Sequence, residues 1–129
     1  MREILFRGKA TRTNLWVYGY YTTNYGTGRP QIREKAECCF TEVIPETVGQ
    51  YTGLTDKNGK KIFEGDIVKA KDGLSNDLFE FYGYVDHKYG SFVIVGECIT
   101  HFRWLDYDVE VIGNIHDNPE FLKDGGTWR

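Results

Sequence analysis

The stretch from Val43 to Val68 reads Val-Ile-Pro-Glu-Thr-Val-Gly-Gln-Tyr-Thr-Gly-Leu-Thr-Asp-Lys-Asn-Gly-Lys-Lys-Ile-Phe-Glu-Gly-Asp-Ile-Val. Its punctuation decides the fold class. Pro45 stands at a first helical position with Glu46 just inside and Gly49 soon after, which predicts a single helical or 3₁₀ turn. Asn58-Gly59 tolerates the positive φ of a tight hairpin turn, and its flanks, residues 51–54 and 61–63, are extended in character. A second bend follows at Glu64-Gly65-Asp66, where Gly65 permits a backbone turn, Asp66 can accept hydrogen bonds from the turn's amides, and Ile67 enters the core. Glu64 and Asp66 are therefore read as turn-shaping residues rather than catalytic acids.

Outward from this stretch the chain continues in short strands. Upstream, residues 4–9 and 16–21 form apolar, aromatic-rich segments separated by a polar turn at 11–14. Residues 22–30 form a Thr/Asn/Gly/Pro loop that ends the first hairpin, and residues 32–43 form another extended segment. Downstream, residues 79–85 alternate, with Phe79, Phe81 and Val85 on one face and Glu80, Tyr82 and Tyr84 on the other. Strands follow at 91–95, 98–102 and 109–116, with turns near Lys88-Tyr89-Gly90 and Gly96-Glu97. Five short strands at regular spacing predict a small barrel, since closure removes exposed edges. Asp117 or Asn118 is expected to cap a short C-terminal helix starting at Pro119 and covering Phe121 and Leu122.

The 43–68 stretch, with Ile62-Phe63-Glu64-Gly65-Asp66-Ile67-Val68 as its most specific part and Arg2-Glu3-Ile4-Leu5-Phe6-Arg7 at the start of the chain, resembles the YopX family of small phage and prophage proteins. The resemblance implies an SH3-type barrel in the C-terminal part and a phage or prophage accessory role, with no biochemical activity assigned. The expected architecture is mainly β. An N-terminal strand-rich segment covers 1–50, and an SH3-like barrel with a C-terminal helical turn covers 51–129.

Composition agrees with one small β-rich protein. The 129 residues are 16% aromatic with 15 glycines, three prolines and one methionine. This length is enough to bury a core without metals or disulfides. Cys38 and Cys39 are adjacent and Cys98 stands alone, so an all-paired framework is excluded and a reducing, cytoplasmic setting in a bacterial host is expected. No segment has the length or hydropathy of a signal peptide or membrane span, so no membrane partner is expected.

The net charge of −3 is unevenly divided. Residues 1–40 carry seven Lys/Arg against three acids, a net +4, and the remainder nine against sixteen, a net −7. The basic front suits an anionic partner or complementary packing between copies.

Chemistry-bearing patterns are sparse. Cys38, Cys39, Cys98, His87, His101 and His116 lack the spacing of zinc ligands. A Cys98 nucleophile with His87 or His116 has no supporting motif, and Asp106, Asp108 and Glu110 alternate with apolar residues as a solvent-facing edge does. Gly26-x-Gly28 runs into Pro30 rather than a helix and makes no phosphate loop. No catalytic residue, metal or cofactor is therefore expected.

Binding is the stronger expectation. Tyr82, Tyr84, Tyr89 and Trp104 are candidates for a surface that holds a host or phage protein. Arg2, Arg7, Lys9 and Arg12, close in sequence to Trp16, are the candidates for nucleic acid. The acidic remainder of the chain repels phosphate, so protein binding, homo-oligomerisation included, ranks ahead of nucleic acid, and enzyme third. The loops at 24–30 and 71–77 are where a partner is expected to touch.

Overall fold

Eleven strands and two 3₁₀ turns make up the described part of the chain, residues 4–34, 39–72, 80–88, 90–96, 100–101 and 107–121 of a computed structural model. The protein is mainly β. Its chain divides into two units, Met1–Gly53 and Leu54–Arg129.

The first unit contains β1 (Phe6–Lys9), β2 (Trp16–Thr23), β3 (Pro30–Arg33), β4 (Thr41–Glu42) and most of β5 (Gly49–Thr55), in the order β4-β3-β2-β1-β5. All the ladders that join them are antiparallel: Arg7 lies opposite Tyr18, Lys9 opposite Trp16, Tyr20 opposite Arg33 and Arg7 opposite Gly49. A bridge between Ala10 and Val43, with hydrogen bonds from Ile44 N to Lys9 O and Thr11 N to Glu42 O, ties the end of β1 to the chain just after β4. The sheet is therefore curved, with an inner side that holds Ala10, Ile32 and Val43, all buried. Two devices permit that curvature. At Gly19 a methyl group would collide with the Arg33 carbonyl and lie 2.9 Å from Glu34 Cα, so only glycine lets β3 come this close. The expected 3₁₀ turn forms at Pro45–Thr47, and the Thr47 hydroxyl accepts the Lys9 amide and donates to Ile44 O, fastening the turn to β1.

Local hydrogen bonds hold the β1–β2 and β2–β3 connections of this unit. Asn14 closes the β1–β2 turn with φ +63° and donates its amide to Ala10 O. Strands β2 and β3 run further into the 22–30 segment than the sequence predicts, leaving a short tip in which Asn24 Oδ1 accepts the amides of Gly26 and Thr27, with Tyr25 fully exposed.

In the second unit the last residues of β5 turn through Asp56–Gly59 into β6 (Lys61–Phe63). Then β7 (Asp66–Asp72), β8 (Glu80–Lys88), β9 (Ser91–Val95), β10 (Thr100–His101) and β11 (Tyr107–Asn114) form an antiparallel sheet in the order β10-β9-β8-β7-β11. One side of this sheet carries the core of Val68, Ala70, Val85, Ile94 and Val109, which packs with Ile62 and against Phe92 and Val111. The bend before β7 works as its residues dictate. Gly65 has φ +92° and donates to Val85 O, Asp66 Oδ2 accepts the Phe63 amide at 2.8 Å, and Ile67 is fully buried.

Two expectations about this unit need correction. Among the described residues the sheet is open, with β10 at one edge and β11 at the other and no ladder joining them, so no closed barrel is seen. Among the described residues the segment after β11 forms a 3₁₀ turn, Pro119–Phe121, and no α-helix; Leu122 lies outside the described residues. The local hydrogen bonds explain the second difference. Asn118 Oδ1 accepts the Asn114 amide and its own amide donates to Asn114 O, so the side chain expected to cap a helix is turned back onto the end of β11. Asn114 in turn accepts the amides of His116 and Asp117.

Candidate functional site

Strand β2 supplies the most distinctive surface among the described residues. Period two puts Trp16, Tyr18 and Tyr20 on one side of the sheet, and the register places Lys9 and Arg7 of β1 and Arg33 of β3 on that same side, opposite the buried Ala10 and Ile32. Aromatic and cationic side chains thus alternate across three neighbouring strands. The Arg7 guanidinium lies 4.5 Å from the centroid of the Trp16 ring and the Lys9 ammonium 5.7 Å from it. Arg33 sits 5.3 Å from the Tyr20 ring and 6.0 Å from Phe40. These distances are those of cation–π contacts, which hold each ring and its cation in a defined relative position.

The members differ in access. Tyr18 and Tyr20 are 43% and 45% exposed, while Trp16, Lys9 and Arg33 are half-buried. Arg7 is only 5% exposed. It acts from beneath the surface as a support for Trp16 rather than as a group that reaches a ligand.

At the Trp16 end the face opens into a groove of about 880 Å³ whose lining includes Thr11, Arg12, Trp16, Arg29, Phe40 and Glu42. Arg12, in the β1–β2 turn, is exposed. Arg29 Nη1 pairs with Glu42 Oε2 at 3.2 Å, and the Thr11 hydroxyl donates to Glu42 O. A smaller hollow of about 270 Å³ adjoins it beside Pro30, Val43 and Pro45.

The buried carboxylates of the second unit, Asp56 and Asp66, accept backbone amides. Asp56 is 6% exposed; its Oδ1 accepts the amides of Asn58 and Lys60 at 2.9 Å, and its Oδ2 accepts the Val111 amide at 3.0 Å. Burial pushes the Asp56 carboxyl upward, but the amides of Val111, Lys60 and Asn58 and the nearby Lys60 charge outweigh it and leave the pKa below the ordinary 3.8. Asp108 and Glu110 lie opposite Lys71 and Lys69 in the β7–β11 ladder, and Glu110 Oε1 is 3.8 Å from Lys57 Nζ.

The remaining candidates fall as follows. Tyr82 and Tyr84 are half-buried on β8, opposite Lys69 and Ile67 of β7. Arg2, Tyr89 and Trp104 lie outside the described residues, as do Cys38, Cys98, Asp106 and most of the 71–77 loop. Cys39 is a free, exposed thiol, and His87 makes an edge contact with Phe92, ring centroids 5.0 Å apart. No group of three or more His, Cys, Asp or Glu able to hold a metal ion is found among the described residues. No helix among them is long and apolar enough to cross a membrane.

Proximity in sequence joins Arg7 and Lys9 to Trp16 but does not point to Tyr18, Tyr20 and Arg33. The alternation Trp16-x-Tyr18-x-Tyr20 was present as a signal; that Arg33 would lie opposite Tyr20 depends on strand register.

The architecture defines a class: a small, mainly β protein of two units, with an aromatic and cationic sheet face on the first. Comparison with known families places it more narrowly. The family described as YopX protein matches residues 5–123, and the chain belongs to that family. Among solved structures it is similar to the crystal structure of protein EF1440 from Enterococcus faecalis, at 25% identity and a TM-score of 0.56, over 95% of this chain and 99% of that one. Comparison with curated proteins finds no match.

Proposed function

We propose that this protein is a non-catalytic binding module whose working surface is the outer face of the N-terminal sheet. The observation that carries this reading is the row Trp16, Tyr18 and Tyr20 set among Lys9 and Arg33. Large rings kept half in water, and fixed in place by cations, present pre-ordered contact area that loses little entropy when a partner covers it. Family membership supports an accessory role in a phage or prophage, acting in the cytoplasm of the bacterial host. The five-strand order β10-β9-β8-β7-β11 is compatible with an SH3-type arrangement of the second unit, which would serve as scaffold.

A second reading places a host or phage protein, or another copy of this chain, on Tyr82 and Tyr84. It is favoured by their position on the half-exposed side of β8, away from buried Val85. One experiment separates the two: a photo-crosslinking phenylalanine analogue is placed at position 18 or at position 82 of the full chain in bacterial cells, and protein and nucleic acid adducts are both analysed. Capture from position 18 and not 82 is the expected result. Capture from 82 alone would transfer the binding surface to the second unit, and capture from neither would end the binding-module reading.

A further inference from the structure

We infer that the Trp16–Tyr18–Tyr20 face binds single-stranded nucleic acid, stacking unpaired bases on the three rings while Lys9, Arg33 and Arg12 meet the phosphates. The inference rests on the binding-module reading and names its ligand.

Three features favour this occupant. Rings at alternate positions of one strand form a row on one side of the sheet, with Tyr18 and Tyr20 exposed, and a base of any identity can stack on a ring face that meets solvent. Cations flank the line on both sides, Lys9 from β1 and Arg33 from β3, and Arg12 lies at its end, where the groove beside Trp16 continues the path. Glu42, an acid in that groove, is held by Arg29 at 3.2 Å, which lowers its repulsion of an incoming phosphate.

The chemistry discriminates against other ligands. A duplex keeps its bases stacked inside, so the rings would find only sugar and phosphate. A proline-rich peptide would use the aromatic rings but has no need of the cations. The −7 charge on residues 41–129 limits non-specific attraction of nucleic acid to the molecule as a whole, so binding depends on this local face.

The test is fluorescence anisotropy of a labelled oligothymidylate, roughly 12 nucleotides long to suit a small β-sheet platform, titrated with the full chain over a range of salt. Saturable binding is expected, weaker for a duplex of equal length, with a log–log salt slope of roughly −1 to −2 for two or three phosphate contacts. Tyr18→Ala and Tyr20→Ala should each weaken binding roughly tenfold, and Lys9→Ser with Arg33→Ser should make the salt slope shallower by about 1. Ultraviolet crosslinking of the unaltered protein to the same oligonucleotide needs no variant to fold, and its adducts should map to the tryptic peptide of residues 13–33.

Absence of binding at low salt, equal affinity for duplex, or adducts confined to other peptides would overturn the inference. A protein captured at position 18 in cells, with no oligonucleotide binding, would overturn it while leaving the binding-module reading in place.

Discussion

The two units place their most distinctive charged side chains differently. In the first, Lys9 and Arg33 stand beside aromatic rings at a half-exposed face. In the second, Asp56 and Asp66 are taken out of solvent and spend their oxygens on backbone amides that would otherwise lack partners. A buried carboxylate of that kind specifies a fold, because each amide it accepts fixes a turn or a strand end. On the aromatic and cationic face, Tyr18 and Tyr20 stay exposed beside half-buried cations, and that access is what recognition requires.

The largest test of this contrast is Asp56→Ala. It removes the acceptor for Asn58, Lys60 and Val111 together, and so unfastens the hairpin from β11 at the point where the β7–β11 register shifts, between Val111 and Gly113. Charge-assisted bonds of this type carry about 1.5–3 kcal/mol each and are not additive, so a loss of about 4 kcal/mol is expected. Urea unfolding measures it. A loss under about 1 kcal/mol would show that the buried carboxylate is not a structural fastener.

Next comes Gly19→Ala, which strikes the first unit through its backbone. The added methyl meets the Arg33 carbonyl, and β3 must retreat, at a cost of about 2–3 kcal/mol. Because Arg33 would move with it, the Arg33–Tyr20 contact should loosen too. A chemical-shift map confined to the second unit would contradict this account.

A smaller effect follows from the titration of Asp56. Its folded pKa is lowered, so its stabilising contribution is complete above the unfolded value near 3.8 and is lost as pH falls through the folded value. Unfolding free energy measured from about pH 5 downward should therefore decline more steeply for the native chain than for Asp56→Asn, which has no carboxyl to protonate. Parallel curves would mean that other carboxylates set the acid response.

Legibility followed the same division. The bends at Asn58-Gly59 and Glu64-Gly65-Asp66 were readable because their geometry is local: a positive φ at Gly65 and an Asx contact from Asp66 are encoded within a few residues. The turn at Pro45–Thr47 was readable for the same reason. Long-range facts were not. Asp56 reaches Val111 across 55 positions, and nothing near either residue announces it. The C-terminal cap misled because Asn118 had a competing local partner in Asn114, and pattern alone does not say which hydrogen bond wins. The candidate site was half visible: Lys9, Arg7 and Trp16 were grouped by proximity, whereas the place of Arg33 required the β2–β3 register.

The smallest effect is the sharpest for function. Tyr18 and Tyr20 project from the outer side of β2, where each already meets water over more than two-fifths of its surface. Replacing either by alanine removes only the part of the ring that lies against the sheet, so a loss of about 1 kcal/mol is expected, below that of a more deeply placed ring. Trp16 differs, since it is half-buried and stacked with Arg7, and Trp16→Ala should cost about 2 kcal/mol by stripping the cover from a nearly buried guanidinium. If thermal melts rank the three in this way, the fold depends less on the tyrosines than on the tryptophan, as a recognising surface requires. If instead Tyr18→Ala or Tyr20→Ala costs as much as Trp16→Ala, the rings are structural and the distinction between a fold-specifying unit and a recognising one fails at the place where it was drawn.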